Sequence, residues 1–295
     1  ASLTKSSQPL VNNAKTPLTK VLKQDFHDTV SGQMSLFNDI ARQSLGRLGD
    51  QIDQCGDIHS DISLDKIKLL QAIEQEKLDS NYSSKVKDCN SNRSFFTDVQ
   101  FKLTTSRYVG TQYLVQLNQT QEFKIHDERL RGIFYGGYLS NSDVTASADG
   151  TIEGRGVQLG VYETIQYREL NYNFYLAVSH GKHDFDFDIL DGFTPDRIKT
   201  KGDYGYYAGY TGASVSGELK VQDTTLTPRL SIDSAYAESD EVNVDFTARQ
   251  KNIEQSGNLT LDQLNSSRLT TELVFHHPTK IRDWELIAEI TPRFF

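Results

Sequence analysis

The chain has 295 residues, of which 37% are hydrophobic and 24% charged, with 14 Tyr, 15 Phe, one Trp and one Met. No run approaches the ~18 consecutive apolar residues of a spanning helix, and the aromatic content is too high for a disordered chain. A formal net charge of -9, a pI near 5.3 and a mean hydropathy of -0.53 argue against nucleic acid as a partner. At ~150 residues per domain the length fits two domains or one large all-β unit.

Nothing in residues 1–30 has a basic head followed by an apolar core, so no signal peptide is expected. The chain reads as cytoplasmic or, beginning at Ala1, as one from which a leader or longer precursor has been removed. Residues 1–27, rich in Ser, Thr, Lys, Asn and Pro, read as a linker. From Asp28 to Gln54 the apolar positions include Val30, Met34, Leu36, Phe37, Ile40, Ala41, Leu45, Leu48 and Ile52. Spacings of three and four dominate there and predict a helix, with Ser31-Gly32-Gln33 as entry and Gly49 or Gly56 as exit. A second helical stretch is predicted over Leu64–Leu78, with Ser63 as N-cap and Ile67, Leu69, Leu70 and Ile73 on its apolar face. Residues 28–100 therefore form a helical segment. It holds both cysteines, Cys55 and Cys89, whose spacing favours a disulfide over two unlinked thiols. Such a bridge contributes roughly 3–4 kcal/mol in an oxidising compartment, and one nearby histidine, His59, does not make a zinc site.

Beyond residue 105 the period becomes two. Val157, Leu159, Val161, Ile165 and Tyr167 alternate with Gln158, Gly160, Tyr162, Thr164 and Gln166, with Glu163 breaking the apolar face. Tyr172, Phe174, Leu176 and Val178 alternate with Asn173, Tyr175, Ala177 and Ser179, and Leu230, Ile232 and Tyr236 with Ser231, Asp233 and Ala235. In 203–217 the apolar stripe is read as Tyr204, Tyr206, Ala208 and Tyr210. Trp284, Leu286, Ala288 and Ile290 oppose Glu285, Ile287 and Glu289. Two architectures fit: a soluble sandwich with strands of roughly 5–6 residues, or a membrane barrel with strands of ~9–11 residues whose apolar face meets lipid. The long runs favour the barrel, as do Tyr162, Tyr167, Tyr172, Tyr204 and Tyr236 as an interfacial girdle. So does a tight connection at Arg168–Leu170 set against long polar loops over Asp184–Lys201 and Gln250–Ser267. About nine strands are countable, centred near residues 111, 134, 160, 175, 208, 231, 245, 272 and 287.

Gly154-Arg-Gly156-Val-Gln-Leu-Gly160-Val-Tyr162, then Asn173 to Gly181 ending in Phe185-Asp-Phe187, resembles the C-terminal β-domain of bacterial autotransporters. Gly209 to Gly217 is similar to it too. So is Leu226-Thr-Pro228, continuing to Tyr236 with Glu238 behind it. The resemblance covers roughly residues 128–291. It implies a mainly β, twelve-stranded antiparallel barrel over residues 101–295 in the outer membrane of a Gram-negative bacterium, preceded by a pore-threading helix. It also implies delivery and anchoring of an upstream passenger segment at the cell surface, with outer-membrane lipid and the barrel-assembly machinery as partners; that no enzyme is expected follows separately, from the lack of a catalytic motif. The final residues end in an aromatic, Phe295, but Pro292 interrupts a closing strand, so the terminus reads as a truncation.

Candidate chemistry is sparse. Asp184, Asp186 and Asp188 share one face of a strand and are candidate ligands for a hard cation, although Ile189 and Pro195 break the EF-hand pattern, which favours a solvated strand end. His276 and His277 point to opposite faces and are poor co-ligands. Asn12-Asn13 is similar to the asparagine pair at which some autotransporters cut off their passenger, but it lies ahead of the predicted helix. No hydrolase elbow, P-loop or dinucleotide fingerprint occurs; Gly154, Gly156 and Gly160 read as small residues on a crowded inner face. No cofactor is expected. Two other readings stay open: a surface β-protein that self-assembles, for which the Asn-x-Ser/Thr sites at Asn81, Asn92, Asn118, Asn258 and Asn265 matter in a eukaryotic source, and a porin-like channel.

Overall fold

The computed structural model of the protein describes residues 8–49, 59–64, 79–87, 93–107, 109–145, 148–190, 197–221, 224–248, 253–281, 284–290 and 293–294. One long helix, α1 (Gln8–Gly49), is followed by an antiparallel sheet. Its strands are β1 (His59–Leu64), β2 (Asp79–Lys87), β3 (Arg93–Ser106), β4 (Gly110–His126), β5 (Arg129–Val144), β6 (Asp149–Tyr167), β7 (Leu170–Leu190) and β8 (Arg197–Gly217). The chain continues through β9 (Leu219–Val221), β10 (Thr224–Ser239), β11 (Val242–Ala248), β12 (Ile253–Leu259), β13 (Leu264–Ile281), β14 (Trp284–Ile290) and β15 (Arg293–Phe294).

The sheet is a meander. Strands β1 to β8 pair in sequence, followed by β10, β13 and β14, which makes eleven positions. The remaining strands prolong these lines. β9 carries β8 on along β10, and β11 carries β10 on along the upper half of β8, from Asn243 opposite Asp203 to Ala248 opposite Ile198. β12 pairs with β11, and β15 pairs with β13 as β14 does. The gap between β8 and β9 has a chemical cause. Pro228 on β10 stands across from it and has no N–H to give, so that ladder stops at Arg229–Ser216 and resumes at Leu226–Leu219. Among the described residues no ladder joins β1 to β14, so the sheet is not closed.

Alternation decides what the sheet does with its two faces. On the outer face of β6, Val157, Leu159 and Val161 are exposed, as are Phe174, Leu176 and Val178 on β7 and Ile133, Tyr135 and Leu139 on β5. On the inner face Gln112, Gln116, Asn118, Ser142, Gln158, Asn173, Ser179 and Asp233 are buried. This inverts the pattern of a water-soluble sheet. The stripe from Val157 to Tyr167 runs about 33 Å along the strand at ~3.3 Å per residue, or about 25 Å of height at a tilt of ~40°. Its one charge, Glu163, is paired with Arg129 and Arg131 of β5.

Higher on the same strands the pattern reverts. Outward positions of β7 become His180, Lys182 and Asp184, while Phe185, Phe187 and Ile189 turn inward and are buried. With Ile198, Val244 and Phe246 they belong to one apolar cluster that includes Ala14, Leu18, Val21 and Leu22 of α1. The top of the sheet is thus a collar of soluble type, clasping the first turns of the helix.

Several sequence expectations are corrected here. Residues 8–27 are helix rather than linker: Pro17 lies inside α1, and burial of Ala14, Leu18, Val21 and Leu22 in the collar outweighs a polar composition. Residues 59–64, 79–87 and 93–100 are strand rather than part of a helical segment, so eleven sheet positions replace the nine counted. Ser63 and Leu64 close β1, while residues 65–78, Cys55, Cys89 and Pro292 lie outside the described residues. The expected loops at 184–201 and 250–267 are largely strand, since β7 runs to Leu190, β8 starts at Arg197, and β12 and β13 fill the second. Tyr204, Tyr206, Ala208 and Tyr210 face inward, and Tyr207 is the exposed tyrosine of that segment.

Glycine makes the inner face passable. Phe134 pairs directly with Gly160, Tyr138 with Gly156, Tyr162 with Gly132, Tyr206 with Gly181 and Tyr175 with Gly212. A Cβ on Gly160 would strike the Phe134 ring, and one on Gly154 would strike Ser140 and His183. At Gly156 it would meet both the Tyr138 ring and the backbone oxygen of His180. Gly154, Gly156 and Gly160 thus lie on the crowded inner face that the sequence predicts for them. Because backbone cannot move aside, Gly156→Val destabilises the sheet by about 2 kcal/mol or more. The check is the temperature at which the folded form is lost in detergent, which falls in the variant, whereas substitution at Gly209, whose Cβ meets nothing, leaves it unchanged.

Candidate functional site

The site is the interior of the sheet, and α1 occupies it. From Asp28 to Ser44 no helix residue is exposed, and α1 touches β3 to β8 and β10. The helix runs from the collar toward the end with the short connections 127–128 and 168–169: Asp25 meets Ser142, near the top of β5, and Ser44 meets Thr164, near the bottom of β6. At 1.5 Å per residue those two contacts are about 28 Å apart, close to the height of the apolar belt.

Polar tethers descend the helix. Asp25 is fully enclosed. Its Oδ1 accepts from Ser142 Oγ at 2.6 Å and Gln112 Nε2 at 3.1 Å, and its Oδ2 from Tyr204 O–H at 2.8 Å, with His183 Nδ1 at 2.7 Å. Four strands thereby converge on one carboxylate. Two turns on, Gln33 Oε1 accepts from Tyr210 at 2.5 Å and from Tyr206 and Ser179 at 3.1 Å. Asn38 Nδ2 then donates to both oxygens of Asp233, at 2.7 and 2.9 Å, and Asp233 also takes bonds from Tyr175 at 3.0 Å and Arg268 at 3.1 Å. Arg42 forms a 3.1 Å ion pair with Glu272, and Ser44 bonds to Thr164. Between tethers, Phe26 stands edge-on to Tyr204 and Tyr206, and Phe37 to Tyr210 at 4.9 Å.

Asp25, Gln33 and Asn38 carry this arrangement, and none was read from the sequence as a site residue; Gln33, expected at the helix entry, lies well inside α1. Their signal was there: with Thr29 and Arg42 they form a series, 25, 29, 33, 38 and 42, of polar residues recurring every four or five positions along the helix. Tyr162 and Tyr204, expected in an interfacial girdle, are buried inside, the first bonded to Glu122 and the second to Asp25, because each hydroxyl finds a polar partner only on that side. Tyr167 and Tyr236 are exposed on the outer face, with Leu226 and Pro228 half-buried on β10. Asn12 and Asn13 fall within α1 rather than ahead of it.

The three aspartates weighed as cation ligands, Asp184, Asp186 and Asp188, stand at a strand end among lysines. Lys182 lies 3.8 Å from Asp184 and 3.2 Å from Asp203, and Asp186 pairs with Lys201 at 2.8 Å and Lys199 at 3.5 Å. Slight burial raises the Asp186 pKa, and the two ammonium groups more than offset it, leaving the carboxyl below its usual range. Among the described residues no group of three His, Cys, Asp or Glu side chains is arranged to hold a metal.

Asp25→Ala strands the donors of four strands at once, and weakens the helix–sheet contact by about 3 kcal/mol. Limited proteolysis of the intact protein detects it as faster cleavage within residues 14–30, with the sheet fragment still protected. Asp233→Ala has the same effect lower down, through Asn38.

No family model matches the chain, and no curated protein is similar to it in sequence. Among solved structures it is similar to the ferric citrate transporter FecA in its unliganded form, at a TM-score of 0.41 and 9% identity over 82% of this chain and 41% of that one. A second likeness is to BauA, the ferric preacinetobactin receptor of Acinetobacter baumannii, at a TM-score of 0.36 and 6% identity over 82% and 44%. The chain spans less than half the length of either. Its fold is mainly β, an antiparallel sheet with one N-terminal helix.

Proposed function

We propose that the chain is the membrane part of an outer-membrane translocator of the autotransporter kind, one that delivers an upstream passenger segment and then anchors it at the bacterial surface. The observation that carries this reading is the inside-out sheet filled by a single helix. Large apolar side chains exposed across β4 to β8 and β10 would be a severe liability in water, where contiguous apolar patches seldom exceed a few hundred Å². In a bilayer the same side chains replace lipid-facing surface at no cost, and the backbone is satisfied by its own ladders.

The direction of α1 supports the anchoring role. Its first turns lie in the collar, at the end where β7, β8, β11 and β12 rise beyond the belt, so a segment ahead of Gln8 would emerge on that side. Its last turns lie at the end of the short connections, the periplasmic end of such barrels. A helix tethered from Asp25 to Ser44 suits a spent translocation pore more than an open porin-like channel. No catalytic role is assigned. Membrane lipid, the passenger and the assembly machinery of outer-membrane barrels are the partners this reading requires.

Unheated protein in mild detergent migrates as a compact species on gels and shifts on boiling, and a peptide tag placed ahead of Gln8 is cut by protease added to intact cells. Recovery from the soluble fraction with no heat shift would overturn the membrane reading. A heat shift with the tag protected would overturn the anchoring role alone. Deleting residues 8–49 raises single-channel conductance several-fold in a planar bilayer, whereas a porin-like channel conducts equally with the helix in place.

A further inference from the structure

The upper border of the apolar belt on β6 and β7 carries a pair of cations in an unusual relation. Arg155 and Lys182 are direct cross-strand partners, both on the outer face. Like charges directly opposite each other in a sheet repel. The next row down is Val157 opposite His180, and the belt begins there. His180 stacks on Tyr207 of β8 with ring centroids 4.3 Å apart and planes inclined by 19°. Arg155 is exposed and makes no hydrogen bond or ion pair among the described residues, while Lys182 is half-exposed and leans to Asp203. The row above is acidic, Glu153 opposite Asp184. Moving up the wall, the order is apolar belt, aromatic pair, cation pair, carboxylate pair.

The geometry points to a lipid-phosphate site: Arg155 and Lys182, with the His180–Tyr207 stack beneath them, take the phosphate of an anionic lipid in the outer leaflet whose acyl chains lie along Val157, Leu159, Leu176 and Val178. The phosphate is the headgroup part nearest the acyl chains, so its level is the row just above the belt. An Arg fork and a Lys point charge held side by side suit a phosphomonoester or diester, and its negative charge relieves the repulsion between them. The opposite border repeats the logic with the cations held apart. Arg168 lies 5.2 Å over the Tyr167 ring and Arg93 5.4 Å over Phe123, while Arg129 and Arg131 are neutralised by Glu163. From Arg155 to Arg168 is about 43 Å of strand, or about 33 Å of height at a tilt of ~40°, close to the ~30 Å hydrocarbon thickness.

This inference rests on the membrane reading, and its test separates the two. The full chain, folded in a neutral detergent, is titrated with phosphatidic acid or with phosphatidylcholine of the same acyl chains while its thermal unfolding midpoint is followed. Phosphatidic acid raises the midpoint by about 3 °C or more and phosphatidylcholine does not. In R155Q/K182Q the rise is lost and the lipid is held about tenfold more weakly, although the variant keeps its heat-dependent gel shift, which reports the barrel. R129Q/R131Q keeps the rise. An equal rise in wild type and R155Q/K182Q, or no rise in wild type, overturns the site while leaving the barrel standing. Inorganic phosphate alone leaves the midpoint unchanged; an equal rise with it would make the ligand a free anion and overturn the lipid assignment.

Discussion

Asp25 collects hydrogen bonds from β4, β5, β7 and β8, and the rest of the structure follows from the need that contact meets. A sheet that turns its apolar side chains outward leaves a polar interior, and polar groups shut away from water are costly unless paired. α1 supplies the partners. Gln33, Asn38, Arg42 and Ser44 continue what Asp25 begins, each reaching a different part of the wall. The helix is therefore as polar along its tethering line as the wall requires and apolar elsewhere, where Phe26 and Phe37 meet the tyrosine rings.

The collar shows the same chain solving the opposite problem. Above the belt Phe185, Phe187, Ile189, Ile198, Val244 and Phe246 turn inward and share one buried cluster with Ala14, Leu18, Val21 and Leu22 of α1. Two opposite patterns are thus written into one strand: β7 places Leu176 and Val178 outside and Ser179 inside, then Lys182 and Asp184 outside and Phe185 inside. The change takes place within a few residues of His180.

Much of this was legible beforehand. Period-two alternation identified β5 to β8 and β10 as long strands and gave the outward stripes of β6, β7 and β10, and the glycines of β6 announced a crowded inner face. Alternation says which residues share a face but not which face looks inward, so the tyrosines of β8 were assigned to lipid. Tyrosine is the residue most open to that error, because its ring suits either side and its hydroxyl is settled only by a partner, here Gln33 and Asp25. The helix was dated too late in the chain for a related reason. Residues 8–27 are polar and contain Pro17, and burial of Ala14, Leu18, Val21 and Leu22 depends on a collar built from strands more than 150 residues away. Local propensity cannot report that. Strands β1 to β3 were hidden in the same way, since β3 places Asp98, Gln100 and Lys102 inward against the helix and Phe95, Val99 and Phe101 outward, a pattern that reads as mixed until the helix is known.

The ring-over-glycine pairs have a consequence for assembly. In a meander of long strands, hydrogen bonds are nearly indifferent to a two-residue slip, because every slipped register still forms a ladder and keeps each side chain on its own face. The pairs Phe134–Gly160, Tyr138–Gly156, Gly132–Tyr162, Gly181–Tyr206 and Tyr175–Gly212 remove that indifference. A two-residue slip between β5 and β6 sets Phe134 against Tyr162 or Gln158 in place of Gly160, and the inner face no longer has room for α1. The glycines thus act as a checksum on strand alignment, and the helix is the reader that accepts only one value.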